Sequence, residues 1–589
     1  MFFREVDIID ETLDHLFRRR EIVHMIARQL AFLWSYDVLL WSKEGFASFF
    51  GAYILNEIFK DYYMMDLMVI QTQLDSFHYD TPSTTVSEAN SLVLPLNNMK
   101  SFIIWRMLYH LIPDVFWSGI HQYIDKHTTT PDDLWTTMET IHKAKLPSHE
   151  PHLFLKNIIK SWITKKYYSV LNMTRNDENS SIAIDFILSP YLKANEKTKS
   201  WIPVTYTMQW SVKYNISDRL FWLTSHSLRR VIPVIDKNDF ILLNIKQTGY
   251  YRVNYDERTW YNLIHFLNSE NYTKIHVLNR AQLIDDAFYL LLQKQFNYKM
   301  FWEFTRSVLR DMNFVTWYPM FKVFESMSCR FPLDYGMDAK IQMRTMMLPL
   351  LEKIGYLHNQ SDNLLIDIVY LREEAVKWAC MLNVIDCRKE AAKILSRDLD
   401  NNKHSGILRT GEKWIYCYGF DELTNLKVNK SQDLIIIDKH YASMLLRFQA
   451  TNDNRYLEYL TCTKSDYVIL LYLSLLAHED ASKENQLQGN VRASAFLSVI
   501  EKHAENDKVL SFLFENFANI TFSSNRKNDI IAILIVAITN ISNKVLITKL
   551  TDYVTHHYAK QIVEVVKRKI KKRDWEYRRL CQNFNSILT

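Results

Sequence analysis

The spacing of apolar residues divides the chain into three stretches. Up to about Lys165, apolar side chains recur at every third or fourth position, as in residues 99–111, which predicts amphipathic helices. From Tyr167, short β-rich runs alternate with turn-prone polar segments and end near Asp256. Helical spacing then returns and continues to the end of the chain. These patterns predict a mainly α protein with a small β domain in the middle.

Composition supports a large folded protein and excludes some classes of partner. The 589 residues are 48% hydrophobic, enough for several domains, and 10 Gly and 12 Pro favour long helices. A net charge of +5 is small at this size and predicts no nucleic-acid partner. The longest strongly apolar run, residues 530–538, is shorter than the ~20 residues of a membrane span. We therefore expect no transmembrane segment in this chain.

One helical stretch carries the most informative chemistry. The run Arg28-Gln-Leu-Ala-Phe32 is followed by Trp34 and then by Lys43-Glu-Gly-Phe-Ala-Ser48. This frame resembles the aminopeptidase N family of gluzincin zinc metallopeptidases. In that family the first segment carries His-Glu-x-x-His, and the Glu of Asn-Glu-Gly-Phe-Ala-Ser is the third zinc ligand. The resemblance implies a zinc metallo-aminopeptidase, but this chain differs at the positions that do the chemistry.

The residues at the family's metal positions predict that no zinc is bound. Two His at i and i+4 share a helical face, and the Glu between them accepts a proton from the metal-bound water. Here these positions hold Arg28, Phe32 and, for the base, Gln29, so the two imidazoles and the base are all replaced. Glu44 alone stays competent, and one carboxylate does not make a zinc site. We expect no cofactor, an ion pair between Arg28 and Glu44 in place of the metal, and Phe32 in the vacated volume.

Further departures affect catalysis. Residues 97–108 resemble the family segment that carries the tyrosine stabilising the tetrahedral intermediate, and the match puts Asn98 at the tyrosine position. Phe32 and Glu44 have 11 residues between them, fewer than in the family by about two helical turns. The family's Gly-x-Met-Glu-Asn segment and its N-terminal β-rich domain are not found ahead of Arg28. We therefore expect a chain truncated at the N-terminus with a degenerate active site.

The resemblance continues in order along the chain. Residues 201–207 and 248–256 resemble two segments of the family's small β-sandwich, and residues 280–288 resemble the opening of its C-terminal helical domain. This implies three domains. They are the helical part of a degenerate thermolysin-like peptidase domain at 1–165, a β-sandwich at 166–256, and a C-terminal α-superhelix of armadillo or HEAT type at 257–589.

The cysteines and sequons suggest an exported protein. Four of the six cysteines fall where the family has disulfides, which implies the pairs Cys380–Cys387 and Cys417–Cys462. Buried free thiols inherited from an ancestor are the alternative. Eight Asn-x-Ser/Thr sequons are glycosylation candidates: Asn172, Asn179, Asn215, Asn271, Asn359, Asn429, Asn519 and Asn540.

The location is predicted in two opposed ways. The resemblance and the cysteines predict an extracellular or membrane-surface protein. This sequence contains no signal peptide or hydrophobic lipid-anchor tail, which predicts a cytoplasmic protein if the chain is complete. The basic run 567–573 has Val563, Val566 and Ile570 at helical spacing, which favours a solvated helix face over a nuclear signal or a polyanion patch.

These features predict a catalytically inactive aminopeptidase N-like protein that acts as a binding or interaction scaffold for a peptide or protein. Two alternatives stay open. One is an active metallo-aminopeptidase that removes N-terminal residues from peptides, with a non-standard site or one completed by a partner chain. The other is a gene fragment without a selected function. The sequence indicates no particular oligomeric state.

Overall fold

The fold is that of a computed structural model of the chain. The described residues are 16–571 apart from 35–41, 60–63, 81–85, 126–129, 146–154, 165–167, 177, 179, 188–200, 210–218, 225–226, 234–238, 329–335, 357–365, 401–412, 425–430, 452–453, 478–488, 521, 523–525 and 542. They divide into two compact units. The first contains residues 16–324 and 366–371, and the second contains residues 325–356 and 372–571. The three domain boundaries expected from the sequence stay a prediction.

The first unit begins with seven described helices. They are α1 (Leu16–Trp34), α2 (Lys43–Ile58), α3 (Met64–Tyr79), α4 (Val86–Leu111), α5 (Pro113–Asp125), α6 (Pro131–Lys145) and α7 (Leu155–Thr164). Local residues determine some of their ends. Pro131 opens α6 because its missing N–H is not needed there. Asp132 and Asp133 follow in the first turn and Lys143 and Lys145 lie in the last, which matches the direction of the helix dipole.

The core of these helices is rich in aromatic rings. Phe46 and Phe49 of α2 and Trp105 of α4 are fully buried. The rings of Phe46 and Trp105 meet edge to face with centroids 5.0 Å apart, and Phe49 meets Phe116 of α5 in the same way at 5.8 Å. Such pairs add about 0.5–1.5 kcal/mol each beyond the burial of their area. They hold α2 rigidly against α4 and α5.

The described residues of the β-rich region form two small sheets. The strands are β1 (Ser169–Asn176), β2 (Ser181–Ile187), β3 (Trp201–Met208), β4 (Leu220–Thr224), β5 (Arg229–Pro233), β6 (Ile241–Leu243) and β7 (Tyr251–Tyr255). One sheet has the order β5-β2-β1-β7 and the other β4-β3-β6; every pairing is antiparallel except β1 with β7. Leu171 and Met173 alternate inward on β1 and are buried, as expected for a strand with one core-facing side.

Four more described α-helices follow the sheets: α8 (Glu257–Leu267), α9 (Val277–Leu292), α10 (Tyr298–Thr305) and α11 (Phe314–Ser328). Arg252 of β7 joins the sheet to α9. Its guanidinium contacts Asp285 at 2.6 Å and Asp286 at 3.1 Å and lies 4.4 Å from the ring centre of Phe77 on α3. The arginine of the segment 248–256 is therefore a structural residue that connects three parts of the first unit.

The described helices after α11 pack in a repeating order, and they belong to the second unit except for residues 366–371 of α13. They are α12 (Gly336–Ile354), α13 (Ile366–Met381), α14 (Ile385–Asp400), α15 (Lys413–Thr424), α16 (Ser431–Thr451), α17 (Arg455–Leu460), α18 (Asp466–Ala477), α19 (Gly489–His503), α20 (Asp507–Asn516), α21 (Arg526–Asn540), α22 (Lys544–His557) and a last helix, α23, over residues 560–571. α15, α17, α19 and α21 contact one another in turn, and so do α18, α20 and α22. This stacking of every second helix is typical of an α-superhelix. The predicted mainly α, multidomain fold is confirmed.

Both disulfides expected from the resemblance are present, which confirms this part of the prediction. Cys380–Cys387 joins the end of α13 to the start of α14, with a Cα–Cα distance of 5.2 Å. Cys417–Cys462 joins α15 to the turn after α17, with a Cα–Cα distance of 4.9 Å.

In the part of the chain that the structure describes, no helix combines the length and the apolar character that crossing a bilayer requires.

Candidate functional site

The candidate site lies where α1 and α2 pack side by side. A Cβ atom on Gly51 of α2 would be 2.8 Å from the backbone nitrogen of Arg28 and 3.1 Å from the carbonyl carbon of Ala27. Real Cβ atoms do not approach backbone atoms so closely, so the two helices touch here through their main chains. Glycine at position 51 thus brings the helix that carries Arg28 directly against the helix that carries Glu44.

Arg28 and Glu44 form the predicted ion pair. Nη2 of Arg28 donates a hydrogen bond to Oε2 of Glu44. The two side chains keep 36% and 43% of their surface exposed, so the pair lies at the edge of the core. Gln29 and Phe32, which are one and four residues after Arg28 on α1, are both half-buried. The expectation that Phe32 fills the volume of a lost metal stays a prediction.

A histidine to which the sequence pattern assigned no role lies one turn away from the ion pair. Nε2 of His24 on α1 is 3.4 Å from the backbone carbonyl oxygen of Ser48 on α2. His24 precedes Arg28 by four residues and Ser48 follows Glu44 by four, so the two contacts form successive layers between the helices. Burial lowers the pKa of His24, the bond to Ser48 opposes this, and the Arg28 charge adds to the lowering. The matched i,i+4 spacing could have indicated the pairing.

Asn98, which the resemblance predicts to be at the family's tyrosine position, lies on α4 beside the start of α2. Its backbone carbonyl accepts a hydrogen bond of 2.9 Å from Oγ of Ser101, which in turn accepts one of 2.7 Å from Oγ of Ser42. A Cβ on Gly45 would lie 1.7 Å from the same Ser101 oxygen. α4 therefore meets α2 next to Glu44, and the elements that carry the family's metal, base and tyrosine positions converge in one corner of the first unit.

Two charged residues of the 97–108 segment have structural partners. Lys100 contacts Asp80 at 2.8 Å, and the same carboxylate accepts from Tyr250. Arg106 is buried and donates to the carbonyl oxygens of Gln247 and Lys246 at 2.8 and 2.6 Å. Lys100 thus joins α4 to the end of α3, and Arg106 joins α4 to the turn that precedes β7. These contacts explain why these residue types belong in the segment without giving them a catalytic role.

Arg106 also sets the electrostatics behind the site. Burial lowers the pKa of Arg106 to about 10, and the nearby Asp66 acts in the opposite direction. Burial raises the pKa of Asp66, while Arg106 and Lys246 lower it. Burial together with Arg106 and Lys246 also holds the pKa of His110 well below its ordinary value. Sequence reasoning missed this cluster because Asp66 and Lys246 are far in the chain from Arg106 and His110.

The donor set at the corner does not suit zinc. Arg28 and Phe32 have no lone pair for a metal, and the amide of Gln29 is no base. The one carboxylate, Glu44, accepts from a guanidinium. Within the described ranges, no three His, Cys, Asp or Glu side chains come together in a way that could hold a metal ion. The residues present at this corner therefore do not fit a zinc ion.

Comparison with known proteins gives the family. A model of the ERAP1-like C-terminal domain matches residues 240–572, and a model of the peptidase family M1 domain matches residues 1–162. The chain is 24% identical to an aminopeptidase N of Plutella xylostella, with 83% of this chain and 51% of that protein covered. It is 23% identical to mouse aminopeptidase N, with 88% and 56% covered. It is 25% identical to human glutamyl aminopeptidase, with 65% and 41% covered.

The chain spans about half the length of the aminopeptidases N that it matches. The two family models together cover most of the chain, and the first alone covers more than half. The similarity includes both the helical corner with Arg28 and Glu44 and the stacked helices of the second unit. The chain belongs to the aminopeptidase N-like peptidases of family M1.

Proposed function

We propose that this protein is a pseudopeptidase, a catalytically inactive member of its family with a degenerate active site, and that it serves as a binding scaffold. The observation that carries the proposal is the contact between Arg28 and Glu44. A family M1 enzyme needs this carboxylate for its metal. In this chain the carboxylate is neutralised by a cation of its own polypeptide.

Electrostatics argues against a metal beside Arg28. Two unit charges about 4 Å apart interact by about 4 kcal/mol near a protein surface, and a dication is repelled by about twice as much. Zinc bound to Glu44 would have to displace the guanidinium and then remain near it. The loss of two imidazoles removes the binding free energy that could offset this repulsion.

The missing base supports the same conclusion independently of the metal. Gln29 occupies the position from which a carboxylate would take a proton from water, and an amide does not accept one at neutral pH. The phenol that would stabilise a tetrahedral intermediate is replaced by Asn98. Metal binding, deprotonation and oxyanion stabilisation are therefore each weakened by a separate substitution.

Binding is the role that the retained architecture supports. The core around Phe46 and Trp105, both disulfides and the stacked helices of the second unit keep a folded scaffold. A peptide or protein is the ligand class that we propose, by analogy with the peptidases in the family. The disulfides favour an extracellular or membrane-surface location. A relative that is 24% identical, the human thyrotropin-releasing hormone-degrading ectoenzyme, points the same way.

The test combines metal content with activity. The purified full chain is dialysed against zinc, its bound metals are measured by mass spectrometry, and it is assayed with aminoacyl p-nitroanilides with and without chelator. A related aminopeptidase N prepared in parallel is the positive control. We expect substoichiometric zinc and no chelator-sensitive turnover. One zinc per chain together with turnover that a chelator abolishes would overturn the proposal.

A variant of the chain distinguishes two reasons for the absence of zinc binding: the loss of the ligand side chains and a change in the arrangement of the two helices. The triple substitution Arg28→His, Gln29→Glu and Phe32→His restores two imidazoles at i and i+4 opposite Glu44. We expect it to bind zinc more tightly than the unchanged chain in competition with a chromophoric chelator. The matched control adds Glu44→Gln to the triple variant and should lose that gain. If neither variant binds zinc, the helix pair itself has moved out of a metal-binding arrangement, which still supports an inactive protein.

A further inference from the structure

The last described helix, α23, presents a basic face to solvent. Lys560, Lys567, Arg568 and Lys571 are exposed and follow one side of the helix. The opposite side carries apolar residues, with Ile562 and Val566 only 6% and 1% exposed. The helix is thus anchored by its apolar side, and its basic residues follow one another along the outward side.

The row continues onto α21. Nζ of Lys527 donates to Oε1 of Gln561 at 3.1 Å, which brings the start of α21 beside the start of α23. The neighbouring Arg526 is exposed and is oriented by a bond of 2.9 Å to the carbonyl oxygen of Phe517. We call the combined surface the basic face. Its members are Arg526, Lys527, Lys560, Lys567, Arg568 and Lys571.

The charge of this surface is one-sided. Glu564, which is exposed four residues after Lys560 and four before Arg568, is the single acidic residue in 560–571, against five Lys and Arg residues. The net charge of the whole chain is only +5, so the surplus is concentrated here rather than spread evenly. From Lys560 to Lys571 the row is about 16 Å long at 1.5 Å per residue. A small anion can reach one or two of these cations, whereas a linear polyanion can reach the whole row.

The sequence pattern of 567–573 alone favours a solvated helix face, but the structure adds Arg526 and Lys527 of α21 to the same surface. We propose that this basic face binds a sulfated polysaccharide. Each Lys or Arg that contacts a sulfate releases a condensed counterion, so affinity should fall steeply with salt. The side chains exposed on α23 are all polar, and its apolar ones are buried or half-buried, which does not suit insertion into a membrane surface. α23 also contains no aromatic residue on which the bases of single-stranded nucleic acid could stack.

The choice of a polysaccharide over double-stranded nucleic acid depends on compartment. Two formed disulfides indicate an oxidising environment, where acidic polysaccharides occur and nucleic acids are rare. This step depends on the proposed location but not on the proposed loss of catalysis. An active peptidase and an inactive one would bind equally well through α23, so the two proposals can fail separately.

The experiment compares two matched triple variants of the full chain on immobilised heparin. The test variant is Lys567→Gln, Arg568→Gln and Lys571→Gln. The control is Lys389→Gln, Lys393→Gln and Arg397→Gln, which removes two Lys and one Arg from exposed positions on α14 of the same unit. Both variants lose the same charge, and circular dichroism checks that both are folded. Affinity for heparin is measured at several salt concentrations, and double-stranded DNA of similar length is the competitor.

We expect only the substitutions on α23 to weaken the binding of the chain to heparin. The test variant should elute at lower salt, and the slope of log affinity against log salt should fall by about 2 to 3, since three contacts are lost. The α14 control should elute with the unchanged chain. Equal loss in both variants, or no retention of the unchanged chain at physiological salt, would overturn the proposal. So would competition by DNA at lower concentration than by free heparin.

Discussion

Arg28 and Glu44 lie 16 residues apart on neighbouring helices and are joined by a charge-assisted hydrogen bond. Their contact satisfies the carboxylate that the resemblance predicts to be at the position of a family zinc ligand. Because both side chains keep more than a third of their surface exposed, solvent screens the pair. We therefore expect the ion pair to contribute little to the stability of the fold. Its main effect is that the Glu44 carboxylate is occupied by a guanidinium.

The first prediction measures this contribution. Arg28→Met, Glu44→Gln and the double variant form a thermodynamic cycle, with unfolding followed in urea by tryptophan fluorescence. We expect a coupling free energy below about 1 kcal/mol, as for other exposed pairs. A coupling of about 3 kcal/mol or more would instead indicate a desolvated pair on which the corner depends for its stability.

The second prediction concerns the contact between α1 and α2. In a free helix, Gly51→Ala would be stabilising by about 0.5–1 kcal/mol because alanine restricts the unfolded chain. Here the new Cβ would meet the Arg28 nitrogen at 2.8 Å, and a backbone atom within a helix cannot move aside alone. Overpacking of this kind typically costs about 1–3 kcal/mol. Because the clash outweighs the gain in helix propensity, we expect net destabilisation in urea unfolding.

The control substitution lies in the same helix. Asn56→Ala also raises helix propensity, and it changes a half-buried position without adding a group between the two backbones. It should be neutral or slightly stabilising. If Gly51→Ala is as stable as Asn56→Ala, the close approach of α1 and α2 is incorrect, and with it the geometry of the candidate site.

The contacts that could be predicted from the sequence are those that a local motif or the family resemblance indicates. The register of one motif was enough to pair Arg28 with Glu44, and the resemblance to a family with known disulfides was enough to pair Cys417 with Cys462. The alternation of β1 likewise follows from its own residues, because Leu171 and Met173 are two positions apart and face one core.

Contacts between distant segments could not be obtained in this way. Arg106 donates to the carbonyl of Gln247, which is 141 residues away, and nothing in either local pattern identifies the other. The contact of Gly51 with the Arg28 backbone is similar, since it depends on the distance between two helices rather than on the periodicity of either. Low glycine content is nevertheless a usable signal, because a rare glycine inside a helix often marks close packing.

The third prediction is a pH dependence centred on His276, the residue that caps α9. Its Nδ1 accepts a hydrogen bond from the backbone N–H of Leu278, which a doubly protonated ring cannot do. Burial and the charges of Lys246, Arg106 and Arg280 lower the pKa of His276 to about 3. His276 therefore binds a proton near pH 6.5 in the unfolded chain, but only near pH 3 in the folded chain. The contribution of neutral His276 to the free energy of unfolding should be fully present above pH 6.5 and should decrease as the pH falls toward 3.

His276→Asn tests this because asparagine is a good N-cap that does not titrate. The free energy of unfolding is measured in urea from pH 8 to pH 4. Below about pH 6 the variant should lose less stability than the unchanged chain, by up to about 1.4 kcal/mol per pH unit. Asn297→Ser, which exchanges one N-cap for another at the start of α10 and adds no titrating group, is the control and should run parallel to the unchanged chain. Parallel curves for His276→Asn as well would rule out this cap as a titrating group.

The fourth prediction ranks the two disulfides. Cys417–Cys462 spans 45 residues and Cys380–Cys387 spans 7. A cross-link restricts the unfolded chain more when its loop is longer, which gives about 4 kcal/mol for the first pair and about 2.5 kcal/mol for the second. Replacing each pair by two alanines should therefore lower the free energy of unfolding more for Cys417 and Cys462, by about 1.5 kcal/mol.

Each double variant is the control for the other, since both remove two sulfur atoms. Cys380 and Cys387 are both fully buried, so their replacement also leaves a small cavity. This packing loss acts against the predicted order. If the short-loop variant proves the less stable one, the side-chain packing between α13 and α14 outweighs chain entropy. Titration of free thiols in the unchanged protein gives the independent check: with both bridges formed, the two remaining cysteines of the six should react after unfolding without reductant.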